Sequence, residues 1–179
     1  MPIYEVQGKR PQIGATSYVH PTAVLIGDVV IGEGCWIGPN VTMRADEGTI
    51  RMGDYSNLQD NAVIHGREVV LGRYSHLGHA CVLHGVTLGE HVLVAIKAVV
   101  LDGAEVGDWC TIAAGAVVAP RAKIPPRKML MGVPAAIVGD APPDREENFD
   151  WTHSTGYLAK PKQYKESLRE LSLEEVLTS

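Results

Sequence analysis

Phenylalanine occurs once in this chain of 179 residues, and all aromatics together make up 6%. A core with so few rings must be built from Val, Ile, Leu and Ala. Nineteen glycines beside them point to many tight turns around a narrow, uniform interior. Cysteine is scarce as well. Cys35, Cys81 and Cys110 form no CxxC pair, and an odd count of three excludes a dense disulfide framework. It suits a reducing compartment, where thiols serve as small apolar fillers. Basic charge is lacking too: the net charge of −5 argues against a general nucleic-acid binder. The first residues, MPIYEVQGKRPQ, hold no apolar run of signal-peptide length, and no stretch approaches a membrane span. These absences predict a soluble, cytoplasmic protein without nucleic-acid or membrane partners.

What the chain does have is a repeat. An aliphatic residue recurs every six positions at Val19, Leu25, Ile31, Ile37 and Met43. After an insertion of three the series resumes at Met52, Leu58 and Ile64, and one extra residue later at Leu71, Leu77 and Leu83. With one residue then missing, it runs Leu88, Val94, Val100, Val106, Ile112, Val118, Ile124 and Leu130. A six-residue repeat of this kind reads as a β-helix. Three hexads make one triangular coil, so positions 18 apart stack about 4.8 Å apart along the axis. Four residues after each aliphatic the position is usually small, as at Ala23, Cys35, Ala62, Cys81, Ala98 and Cys110. All three cysteines fall there, so they read as filler rather than as redox or metal groups. An ordinary sandwich would not hold a six-residue register for more than 100 residues.

The predicted organisation is an all-β parallel β-helix domain over 1–139 and a linker with a C-terminal α-helical tail over 140–179. Residues 1–18 form an extended cap, since a solenoid end needs a polar cover. The coils span 19–132, and the repeat ends in MGVPAAIVG at 131–139. Asp144 and Glu147 in DREE make a capping-box pattern for a helix to about Tyr157, which Pro161 breaks. QYKESLREL continues helically, and Ser172 in SLEE caps a last short turn. Trp151, Tyr157, Leu158 and Tyr164 give the tail an apolar face to pack on the prism or on a neighbouring subunit.

His65 follows inward Ile64, and His84 follows inward Leu83, 19 residues on, which is one coil plus one inserted residue. Arg44 follows Met43 a coil earlier. Arg44, His65 and His84 therefore form a ladder on one face. Two imidazoles one strand spacing apart can converge on one ion. His79, two after Leu77, lies on a different side of the triangle. In a trimer of parallel prisms it could complete the site across the interface, and three histidines with an open position make a catalytic zinc site. A surface histidine is more often simply solvated, and His20, His76, His91 and His153 are read that way.

These segments resemble the gamma-class carbonic anhydrases and their homologues. The resemblance covers Val19 to about Val138, and its motifs are RADEG at 44–48, NLQDNAVIH at 57–65 and HACVLHG at 79–85. It implies a left-handed β-helix, a homotrimer, and zinc (with Fe2+ or Co2+ as other possible metals) held by His65, His84 and the adjacent subunit's His79. It gives Gln59 the hydrogen bond to the metal's water and Glu47 an acidic role beside the metal. Arg44, Asp46 and Asp60 match a salt-bridge cluster between subunits. The acidic loop that carries a proton shuttle in the archetypal enzyme is missing, because only GREVV follows His65 before the next coil. Ile96 and Lys97 also depart from the usual Met and small or polar residue; Lys97 reads as a solvated turn residue that could instead alter the charge of the pocket.

The activity so implied is zinc-dependent hydration of CO2 to bicarbonate. The runner-up is zinc-dependent hydrolysis of an acyl-CoA thioester by the same hydroxide, with Arg67, Arg73 and Lys97 as a basic patch for CoA phosphates. A hexapeptide acyltransferase with a histidine base, and a non-enzymatic trimeric assembly subunit, complete the alternatives. Fold alone does not choose among them.

Overall fold

A computed structural model describes residues 2–142 and 157–177. Short strands at hexad spacing wind into a parallel β-helix. Strand β1 (Ile3–Tyr4) and β2 (Gln12–Ile13) lie parallel against β4 (Val24–Ile31), while β3 (Tyr18–Val19) pairs with β5 (Trp36–Ile37). Ile13 already packs on the core, so the inward series starts one hexad before Val19. The insertion after Met43 is absorbed by β6 (Thr42–Met52), which runs through a corner without a break and brings Ala45 and Ile50 inward. Because β4 and β6 both cross that corner, two faces form one sheet of twelve strands and the third face is a separate sheet of eight.

Three inward columns fill the prism. One of them is Leu25, Met43, Ile64, Leu83, Val100 and Val118, in direct register and all buried. Burial of such side chains contributes about 1.5–3 kcal/mol each, and the repeat secures it at every coil. The three cysteines are fully buried and free. Burial pushes the Cys35 thiol up to about 11 and the Cys81 thiol up to about 12. One small-residue column holds serines that the spacing alone did not flag. Ser17, Ser56 and Ser75 are buried, and their hydroxyls donate to the carbonyls of Gly32, Gly72 and Gly89.

The outward residue just before each inward one gives every face its own chemistry. The first face reads Val24, Thr42, Val63, Val82, Val99, Val117. The second reads Tyr18, Trp36, Asn57, His76, Leu93, Thr111, Met129. The third reads Gln12, Val30, Arg51, Val70, Thr87, Glu105, Lys123 and carries a Lys123–Glu105 ion pair. We call them the valine, tail and charged faces.

The corner between the charged and tail faces carries rings in the left-handed region, at Tyr55, Tyr74, His91 and Trp109. They stack in turn with centroids 5.1, 4.9 and 3.8 Å apart. His91 is therefore a rung of a ladder rather than a solvated side chain.

The tail face is covered by the chain's own C-terminus. Helix α1 (Lys160–Ser167) has Pro161 in its first turn, where the missing N–H costs nothing. Pro161 thus opens a helix, although the sequence reading has it only end one. The helix also stops at Ser167, short of the LREL expected to continue it. Tyr164 meets Tyr18 and Trp36 edge-on at 5.3 and 5.6 Å, Tyr157 meets Trp36 and His76, and the Lys160 ammonium lies over both Trp36 and Tyr157. Burial pulls the Lys160 ammonium below its usual range, against the opposing pull of Asp60. Helix α2 (Leu173–Val176) starts on the expected Ser172–Glu175 capping box. The predicted helix from Asp144, and Trp151, lie outside the described residues. The prism closes in an antiparallel hairpin, Lys128–Gly132 with Ala135–Asp140, turning at Val133-Pro134. Among the described residues no helix is long and apolar enough to cross a membrane.

Candidate functional site

Every residue read from the sequence as a metal ligand, catalytic group or salt-bridge partner lies at one of the two corners that bound the valine face. Arg44, His65 and His84 stand in direct register, at the corner where the chain leaves that face. Asp46 and Glu47 follow Arg44 round it. Gln59, Asp60 and His79 occupy the other corner, where the chain enters the valine face from the tail face; Ala80 N donates to Asp60 O, and Lys97 N to His79 O. No group of three or more metal-ligating side chains forms within one chain among the described residues.

At the leaving corner, His65 Nδ1 and His84 Nε2 face each other at 3.1 Å. Two imidazoles bound to one tetrahedral zinc ion at about 2.0–2.1 Å have nitrogens roughly 3.3–3.4 Å apart, so this pair fits an edge of such a site. The far side of each ring meets a carboxylate. His65 Nε2 lies 3.5 Å from Asp46 Oδ1, and His84 Nδ1 lies 2.8 Å from Asp102 Oδ1. Arg44 Nη1 donates to Asp46 Oδ2 at 2.6 Å, and this bond holds the Asp46 carboxyl below the usual carboxylate range. Asp46 therefore stays an acceptor for His65. Glu47 is exposed, with its backbone N–H on Asp46 Oδ1.

At the entering corner, His79 Nδ1 lies 3.3 Å from Asp60 Oδ2. Asp60 here faces His79, while Arg44 pairs with Asp46 inside its own corner. Gln59 Nε2 reaches Asn57 Oδ1 at 3.5 Å, and Asn57 Nδ2 contacts His76 Nδ1 at 2.7 Å. His76 is only 6% exposed under Tyr157, so reading it as a solvated histidine was wrong. Its hexad place matches solvated positions elsewhere, and only the docked tail buries it.

Arg67, Arg73 and Lys97 do not form a patch within one chain. Arg67 is at the leaving corner, Lys97 at the entering corner, and Arg73 at the third, beside Asp54 and Tyr74. The turn after His65 is tight: a Cβ on Gly48 would strike the carbonyl oxygens of Gly66 and Arg67 at 2.3 and 2.4 Å. The residue the sequence reading missed is Asp102. Its signal was present, since the coil here is 17 residues long and stacks Asp102 on Gly85, the residue directly after His84.

The fold and these corners define a hexapeptide-repeat protein, and the family model "Bacterial transferase hexapeptide (six repeats)" matches residues 10–45 and 85–120. The chain belongs to the hexapeptide-repeat family that includes the carnitine operon protein CaiE. It is 37% identical to CaiE of Escherichia coli strain K12 over 147 residues, covering 80% of this chain and 75% of that one. It is 40% identical to CaiE of Proteus sp. strain LE138 over 154 residues, covering 84% and 77%. Among solved structures, a Bacillus cereus protein assigned as an acetyltransferase superposes with TM-score 0.87 at 28% identity, covering 92% of this chain and 96% of that one. A hexapeptide transferase family protein of Anaplasma phagocytophilum gives 0.86 at 27%, covering 91% and 98%. The β-helix is the left-handed one of this family.

Proposed function

We propose that the protein is a homotrimer with three metal sites between subunits, and that it hydrates CO2 to bicarbonate. The observation that carries this reading is the facing pair, His65 Nδ1 and His84 Nε2, 3.1 Å apart with a carboxylate behind each ring. The trimer follows from the corners. His79 and the His65–His84 pair bound opposite edges of the same apolar face, so one chain cannot bring them together. A heterologous joint, entering corner against leaving corner, closes into a ring when the rotation is one third of a turn. The valine faces then turn toward the axis.

The residues that would hold zinc are His65 and His84 of one subunit and the His79 of the next. Zinc supplies Lewis acidity there and makes water ionisable near neutral pH. The chain does the rest. Asp46 and Asp60 keep the far nitrogens of His65 and His79 engaged, Gln59 orients the attacking water, and exposed Glu47 accepts the released proton. Arg44 and Asp46, brought against Asp60 by the same joint, tie the subunits together. Without an acidic loop the proton leaves through Glu47 alone, which predicts slow turnover.

A second reading, acyl transfer or thioester hydrolysis, is favoured by the family of transferases to which the chain belongs and by one groove. A groove of about 340 Å3 opens beside Asp102, lined by Arg67, Thr87 and the carboxylates of Glu68, Asp102 and Glu105. The joint would add Lys97 to Arg67 for CoA phosphates but not Arg73. Metal analysis with stopped-flow CO2 hydration, on anaerobically purified and metal-reconstituted protein, tests the first reading. Stoichiometric zinc in a trimer with hydration activity is expected. His84→Ala abolishes that zinc, whereas Gln59→Ala keeps it and loses roughly 10- to 100-fold in rate. Acyl-CoA turnover in place of CO2 hydration would replace the first reading with the second, metal-dependent turnover marking thioester hydrolysis and metal-free turnover marking acyl transfer.

A further inference from the structure

We propose that Asp102 is a positioning residue that sets which nitrogen of His84 offers its lone pair. This rests on the reading of His84 as a metal ligand. A carboxylate only accepts, so the 2.8 Å contact between Asp102 Oδ1 and His84 Nδ1 places the ring proton on Nδ1. In the neutral ring the lone pair then falls on Nε2, the nitrogen turned toward His65. Which imidazole nitrogen is free is set by the hydrogen bond the other one makes. A carboxylate behind a ligating histidine fixes both tautomer and ring orientation.

The contact is built into the coil. The Asp102 carbonyl accepts from Arg121 N at 2.8 Å, and Gly103 N donates to Gly85 O at 2.6 Å, so the turn is tied to the coils on both sides. Gly85 makes the room. Its φ is +63°, and a Cβ there would lie 2.8 Å from Asp102 Oδ1. The residue directly after the ligand therefore lacks a side chain where the carboxylate has to stand. Asp46 stands behind His65 at a longer 3.5 Å and holds it less firmly, so in the metal-free protein His65 Nδ1–H donates to the His84 Nε2 lone pair.

The test uses the full chain labelled with 15N. Long-range 1H–15N spectra of the metal-free protein should show His84 as the single Nδ1–H tautomer, and Asp102→Ala should turn it into a mixture. Competition with a zinc chelator should show the Ala variant binding about 10- to 100-fold more weakly, with Asp102→Glu recovering part of the loss. An unchanged tautomer together with unchanged zinc affinity in Asp102→Ala overturns the proposal. If the unaltered protein binds no zinc, the metal reading falls. The tautomer spectrum then decides alone: a shift keeps Asp102 as the positioning residue of a histidine base, and no shift removes it. Both residues belong to one chain, so the spectrum is decisive even for a variant that fails to form trimers.

Discussion

The valine face and the tail face share one backbone, one register and the same kind of aliphatic core, yet their outer surfaces differ. Val24, Thr42, Val63, Val82, Val99 and Val117 make a flat, β-branched surface, on which Val63 stays 40% exposed. Tyr18, Trp36, Asn57 and His76 make a rough one with hydrogen-bonding groups, and the chain's own Tyr157, Lys160 and Tyr164 fill it. An exposed helix needs anchors with direction, which rings and a cation supply. In the proposed trimer a second prism would need only an even apolar surface, because the joint would be fixed at the corners. The difference teaches that the outward hexad position, invisible to the core, decides what each face meets.

Charging the valine face is the largest perturbation available. Val63→Lys with Val82→Lys should convert the trimer to monomer in sedimentation and remove stoichiometric zinc with it, while far-ultraviolet circular dichroism keeps the β-helix signal. A trimer that survives both lysines would place the subunit joint on another face. On the tail face the same kind of insult stays within one subunit. Asn57→Ala takes away the 2.7 Å partner of buried His76 and should cost about 1–3 kcal/mol in denaturant unfolding, with the trimer intact.

Removing a tail anchor is milder. Tyr164→Ala loses two edge-on ring contacts and should cost about 1–2 kcal/mol, which in a chain this long lowers the melting temperature by roughly 2–8 °C. An unchanged melting curve would mean that the helix adds nothing to the face it covers.

The cysteines are the control, since they line the interior behind all three faces. Burial raises the Cys35 and Cys81 thiols from 9.0 to about 11 and about 12. A raised folded-state value means that their contribution is whole below the unfolded value, near 9, and is lost as pH climbs from there toward the folded values. Stability should thus fall substantially between pH 9 and 12, by equal amounts in the valine-face and tail-face variants. Iodoacetamide should label none of the three thiols at pH 8 without denaturant. Rapid native labelling of Cys81 would show that the coils open far more readily than their packing implies.

Much of this was legible in the order of residues. A period of six has one stacking solution, so Leu25, Met43 and Ile64 could be set in one column by counting, and the cysteines could be read as filler from their place in it. The Arg44–His65–His84 ladder followed by the same arithmetic, because backbone pairing turns sequence separation directly into neighbourhood. Counting failed where the neighbour is not one coil away. Nothing in the hexad of His76 told that Tyr157 would cover it. The helix just after Tyr157 has Pro161 in its first turn rather than at its end, since a proline ring tolerates a first turn and forbids an interior one. Asp102 was within reach of the count, since it stacks one coil beyond Gly85. Repetition of a single short-range period by itself determined the core, the face on which each side chain stands and the separation of His79 from His65 and His84. Only the tertiary structure decided which nitrogens face each other, which carboxylate stands behind each ring and which face the tail covers. Those depend on side-chain rotamers and on a docked segment with no period, and they are settled by packing in three dimensions rather than by spacing along the chain.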